Sequence, residues 1–213
     1  MELEALKRFK EVFANLEGEE RVQDFVTEAL NLGVSPTAII KAMSEALDQI
    51  GSKYQKGDLF LSDLIMAGLM ANTVSALLDP HFKTDYKGTL GIIVIGTVKG
   101  DLHDIGKNIV SILLRGAGYT VIDLGNDIDP QTIVNAVKQE QPQFLGLSAL
   151  LTSTMAHMEE TITALEENGL RDSVKVIIGG APVSEEFAQR IGADGYGADG
   201  FQAVAVVESL SNT

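Results

Sequence analysis

The hydrophobic pattern of the chain changes period once, near residue 89, and that change restricts what the chain can fold into. Upstream, apolar residues recur only at helical spacing. The first stripe is Leu3, Leu6, Phe9, Phe13 and Leu16, and the second is Val22, Phe25, Val26, Ala29 and Leu30. Gly33 then suits a helix end, Ser35 an N-cap and Pro36 a first helical position. A third stripe follows: Ile39, Ile40, Met43, Ala46, Leu47 and Ile50. After a break at Lys56-Gly57-Asp58 comes a fourth, Leu61, Leu64, Ile65, Leu69 and Leu77. Four helices with short connections predict an antiparallel four-helix bundle over residues 1–84.

From Thr89 onward, short strands alternate with helical runs. Strands are predicted at 90–95, 120–123, 144–148, 175–178 and 194–196, and helices near 106–116, 130–140, 155–168, 184–191 and 201–211. This alternation implies an α/β unit with a five-stranded parallel sheet covered on both faces. Right-handed crossovers make it a flavodoxin-like, doubly wound sheet over 89–213. The polar segment 79–88, with Pro80 and Gly88, reads as a linker containing the domain boundary.

Composition narrows the function. The 213 residues contain no cysteine, which excludes thiolate nucleophiles, cysteine-ligated zinc and cysteine-held iron–sulfur clusters. The net charge of −14 lacks the basic footprint that nucleic acid requires. No uninterrupted apolar run reaches the ~18 residues of a membrane span. Charged residues punctuate the N-terminus, so no secretory signal is read there and a cytoplasmic location is expected.

One segment of the alternating half carries chemistry. Asp101-Leu102-His103-Asp104-Ile105-Gly106 lies between the first predicted strand and the helix after it. An imidazole beside carboxylates is thereby set at the C-terminal edge of a sheet, where open α/β folds bind ligands. A carboxylate that fixes the tautomer of a histidine prepares its other nitrogen to meet a metal. The loop after the third strand brings the hydroxyls of Ser148, Thr152, Ser153 and Thr154 to the same edge. Gly179-Gly180 follows the fourth strand, and Tyr196-Gly197 ends the fifth. Singly these features are ordinary: a capping histidine, a helix cap at Ser153 or Thr154, a glycine turn. His81 falls in the linker and His157 in a predicted helix, and both are read as incidental.

The residues 101–106 resemble the Asp-x-His-x-x-Gly signature of cobalamin-binding domains. Ser148-Ala149-Leu150 is similar to that family's Ser-x-Leu, and Gly179-Gly180 to its paired glycines. The helical half resembles the cap module of the methionine synthase type. Together the halves resemble the corrinoid proteins of methyltransferase systems in methanogens and acetogens. The resemblance implies cobalamin, in methylcobalamin and Co(I) forms, with His103 as the lower cobalt ligand in place of the cofactor's dimethylbenzimidazole. It implies that Asp101 hydrogen-bonds the other ring nitrogen and that Thr154, where many relatives carry serine, completes a relay. Leu102, Asp104, Ile105 and Gly106 would flank the ligand. Ser148, Leu150 and Thr152 would line one wall of the slot for the nucleotide tail, and Gly179, Gly180, Tyr196 and Gly197 the other.

The implied function is methyl carriage on cobalt. The group would come from a substrate-specific methyltransferase, in O-demethylation of methoxylated aromatics for example. A second methyltransferase would pass it to tetrahydrofolate or a thiol, and a reductive activase would restore Co(I). The fourth helix, with Phe60, Leu61, Leu64, Ile65, Met66, Leu69 and Met70, would supply an apolar lid. Three alternatives stand beside this: the cobalamin-binding small subunit of a carbon-skeleton mutase, a non-enzymatic cobalamin sensor, and a simple divalent-ion site at Asp101, His103 and Asp104.

Overall fold

The computed structural model describes residues 2–82 and 90–211. The chain divides into two compact units, Met1–Lys83 and Thr84–Thr213. The first consists of α1 (Glu2–Ala14), α2 (Glu19–Asn31), α3 (Pro36–Gln55) and α4 (Leu61–Phe82). Ser35 caps α3 by accepting the Ala38 N–H at 3.2 Å, with Pro36 at the first helical position. Phe9, Phe13, Val22, Val26, Ile39, Ile40 and Met43 form the core that these helices share.

Two expectations fail in this unit. Leu3 of the first stripe is exposed, and the burial of α1 runs instead through Ala5, Phe9, Val12 and Phe13. In α4, Leu61, Ile65 and Leu69 are exposed, while Ala67, Met70, Ala71, Val74, Leu78 and Phe82 are buried. The helix is apolar nearly all round, so periodicity does not choose its face. Small residues at 67, 71 and 75 choose it, because they fit closely against α2 and α3.

The helix α4 also runs through Asp79, Pro80 and His81, residues expected in the linker. A proline inside a helix costs about 3 kcal/mol. Buried Leu78 and Phe82, on either side of it, offset that cost. The rest of the expected linker, residues 83–88, lies outside the described residues. By length and composition alone α4 is apolar enough to cross a membrane. The polar Ser62, Asn72, Thr73 and Ser75 interrupt its apolar run without lowering its average much.

The second unit alternates β1 (Ile92–Thr97), α5 (Ile105–Gly116), β2 (Thr120–Asp123), α6 (Pro130–Glu140), β3 (Phe144–Ser148), α7 (Ala156–Glu167), β4 (Lys175–Gly179), α8 (Glu185–Ile191), β5 (Gly195–Gly197) and α9 (Gly200–Ser211). All strand pairs are parallel, in the order β2-β1-β3-β4-β5. This is the expected flavodoxin-like sheet. Alternate strand residues face opposite sides. Val94, Leu145, Leu147, Val176 and Ile178 enter one core with Ile133, Val137, Met158, Ile162 and Phe187 of α6, α7 and α8. Ile93, Phe144 and Ile177 enter another with Leu114 of α5 and Val207 of α9.

The first strand starts two residues later than expected and ends two later, because Gly96 and Thr97 pair with Leu147 and Ser148. The order reverses between β1 and β3. The loops leaving those strands therefore part to opposite faces and leave a crevice at the C-terminal edge.

Candidate functional site

The β1–α5 loop begins with a turn in which Asp101 N–H donates to Val98 O at 3.1 Å. Gly100 makes that turn possible, because its φ of 78° suits glycine. The turn sends the Asp101 side chain inward, where it is fully buried. Its Oδ1 accepts the His103 N–H at 3.1 Å and lies 2.7 Å from His103 Nδ1. Its Oδ2 accepts from Leu150 N–H at 2.7 Å, Leu151 N–H at 3.1 Å and Thr154 Oγ1 at 2.7 Å. One carboxylate thus joins the loops after β1 and β3 across the crevice.

Burial by itself would raise the Asp101 pKa. The Thr154 hydroxyl, the Leu150 N–H and the two donors of His103 outweigh that effect and hold the carboxyl well below the usual carboxylate range. Asp101 is therefore an anion at neutral pH, and an anion beside Nδ1 places the ring proton there. The Nε2 lone pair is left for a ligand. The His103 side chain is 51% exposed, and its carbonyl accepts from the buried Thr97 hydroxyl at 3.0 Å.

Thr154 was equally readable as the N-cap of α7, and the structure overturns that reading. Met155 holds the cap position without a side-chain cap bond, and Ser153 is exposed. The Thr154 hydroxyl lies instead between Asp101 Oδ2 and Leu151 O, the latter at 2.9 Å. A charged acceptor outcompetes a carbonyl for that one proton.

The remaining predicted residues stand at the same edge. Leu102 and Leu150 are exposed. Asp104 occupies the N-cap position of α5 without a side-chain cap bond, and Ile105 opens the helix. A Cβ built on Gly106 meets nothing within 4 Å. No protein contact demands glycine there. Ser148 ends β3 opposite Thr97 and Gly179. Thr152 is exposed in the loop after it.

The glycines of the other wall have a reason inside the protein. A Cβ at Gly180, whose φ is 129°, would lie 1.8 Å from Ala149 O; one at Gly179 would lie 2.8 Å from Gly197 O; one at Gly197 would meet Ala203 at 2.8 Å. Tyr196 packs partly buried against the core. His157 lies in α7, with Nδ1 2.8 Å from Glu160 Oε2.

Sequence reasoning missed the β2–α6 loop. Asn126 and Asp127 hydrogen-bond to the main chain of the β1–α5 loop, and Lys107, buried in the first turn of α5, donates to Asp123 Oδ1 at 2.7 Å and Oδ2 at 2.5 Å. The available signal was position: Gly125-Asn126-Asp127 follows a parallel strand and so falls at the same edge.

Among the described residues no group of three or more His, Asp or Glu could hold a metal ion, so the simple divalent-ion site does not form. The donor set is one imidazole. That suits a metal whose other ligands come with an organic cofactor.

The comparisons with known proteins agree with this chemistry. The B12 binding domain family matches residues 91–205, more than half of the chain, and a second B12 binding domain family matches residues 7–78. The chain is 37% identical to the trimethylamine corrinoid protein of Methanosarcina barkeri, over 98% of this chain and 97% of that one. The monomethylamine corrinoid protein of Methanosarcina barkeri superposes with a TM-score of 0.90 at 29% identity, covering 99% of this chain and 100% of the other. The methanol:cobalamin methyltransferase complex MtaBC of the same organism matches with a TM-score of 0.56 at 29% identity, covering 98% of this chain and 80% of that one. Fold and site thus define a B12-binding protein. More narrowly, the chain belongs to the corrinoid proteins of methyltransferase systems, and its cofactor is cobalamin.

Proposed function

We propose that this protein receives a methyl group from a methyltransferase specific for a methylated amine and yields it to a second methyltransferase that acts on a thiol or on tetrahydrofolate. The amine is favoured as donor because near full-length relatives are trimethylamine and monomethylamine corrinoid proteins. A methoxylated aromatic is the competing donor. Cobalamin, when bound, supplies the cobalt that takes up and releases the methyl group.

The chain's own residues do the rest. His103 would hold the cobalt through Nε2. Asp101 keeps the proton on Nδ1 and orients the ring. Thr154 holds Asp101 in place. Leu102, Asp104, Ile105 and Gly106 flank the ligand. Ser148, Leu150 and Thr152 line one side of the slot for the cofactor's tail, and Gly179, Gly180, Tyr196 and Gly197 the other. Phe60, Leu61, Ile65, Met66 and Leu69 are exposed and provide the apolar surface that a lid needs. A cytoplasmic location and a reductive activase complete the reading.

The observation that carries it is the pairing of a fully buried, anionic Asp101 with one nitrogen of a half-exposed imidazole. The test has two arms. Protein labelled with 15N, loaded with unlabelled cobalamin and poised as Co(II), is expected to show splitting from a 15N nucleus in its electron paramagnetic resonance spectrum, absent in His103→Ala. Methyl transfer is then assayed with trimethylamine, monomethylamine and a methoxylated aromatic, each with its methyltransferase. Splitting from 15N that survives in His103→Ala overturns the ligand, and transfer from the aromatic alone overturns the donor.

A further inference from the structure

The imidazole is only as well placed as the loop that carries it. Three consecutive residues of that loop are tied to one dipeptide of the β2–α6 loop. Gly100 N–H donates to Asp127 Oδ1 at 2.7 Å. Asp127 N–H donates to Asp101 O at 3.0 Å. Asn126 Nδ2 donates to Leu102 O at 3.2 Å. Asp127 thus accepts from one loop residue through its side chain and donates to the next through its main chain. It does so with a φ of 55°, in the left-handed region that aspartate tolerates better than most residues. Neither residue of the dipeptide belongs to the Asp-x-His-x-x-Gly segment.

We propose that Asp127 is a positioning residue for His103. It fixes the main chain on which the imidazole is mounted and so sets how well Nε2 meets its ligand. The inference rests on His103 being the lower ligand. Placement errors near half an ångström are enough to weaken a designed site, so a clamp on residues 100–102 acts directly on ligation. Asp127 is exposed and lies outside both cores of the sheet unit. Removing its carboxylate therefore takes nothing from packing.

Two variants separate the hydrogen bond from the backbone. Asp127→Gly keeps the left-handed conformation and loses the acceptor. Asp127→Asn keeps the conformation and an oxygen acceptor. Full-length wild type and both variants, labelled with 15N, are titrated with unlabelled hydroxocobalamin, then reduced to Co(II) at saturating cofactor. Asp127→Gly is expected to bind about tenfold more weakly and to lose most of the nitrogen-split resonance signal, while Asp127→Asn behaves as wild type. Thermal midpoints are recorded alongside. A glycine variant with wild-type splitting and affinity overturns the proposal, whether or not its midpoint falls. Wild type that itself lacks the splitting sinks the assignment of His103, which separates that failure from this one.

Discussion

Thr154 Oγ1 donates to Asp101 Oδ2 at 2.7 Å across 53 residues of sequence, and both side chains are buried. A hydrogen bond to a buried charge is worth roughly 1.5–3 kcal/mol. In Thr154→Val the hydroxyl disappears and the shape stays, so urea unfolding of the apo-protein should show a loss of about 2 kcal/mol, and Thr154→Ser should recover most of it. A valine variant as stable as wild type would mean that the backbone donors alone satisfy Asp101.

Gly106 and Gly180 should respond oppositely to alanine. At Gly180 the added carbon would lie 1.8 Å from Ala149 O at a φ of 129°, so Gly180→Ala should fail to accumulate as folded protein or melt far below wild type. At Gly106 nothing lies within 4 Å. Gly106→Ala should fold with unchanged or higher stability, by up to about 1 kcal/mol from helix propensity, and bind cobalamin more weakly. Unimpaired binding would show that the open space is not the cofactor's.

Lys107 and Asp123 form a pair in which the lysine side chain is only 2% exposed. Asp123→Asn leaves a buried ammonium without its counter-charge, and calorimetry should register a loss of about 3 kcal/mol. Lys107→Met removes the charge itself, and the double variant should be more stable than Asp123→Asn alone. If the loss in the double variant equals the sum of the two single losses, the pair contributes no coupling.

Asp194 supplies a pH dependence. Burial raises its pKa, but the Val176 N–H, Arg171 and Lys175 together lower it below the ordinary 3.8. A depressed carboxylate stabilises the fold above its unfolded pKa and ceases to do so as pH falls through its folded one. Stability should therefore decline as the pH drops below about 4. Asp194→Asn should flatten that part of the curve and lower stability at neutral pH. An asparagine variant with the same acid dependence would assign the decline to other carboxylates.

Much of this was legible in the chain. The strands at 120–123 and 144–148 match β2 and β3, and the alternation that placed them also set Asp101, His103 and the Ser148–Thr154 hydroxyls at one edge. Local pattern was silent where tertiary contact decides. Hydrophobic periodicity does not say which side of α4 packs, and nothing nearby says that Pro80 stays inside it. Thr154 has the sequence of a helix cap, and only a carboxylate 53 residues away turns it into an anchor. Asn126 and Asp127 carry no local signal of their role, because their partners lie in another loop.

Asp101 draws on five donors, and only one of them is the imidazole ring. If the ring swings away, the carboxylate remains solvated by the protein on both oxygens. Letting go of the histidine therefore strands no naked charge in the interior, and the arm that would grip the metal is free to open while its anchor stays put.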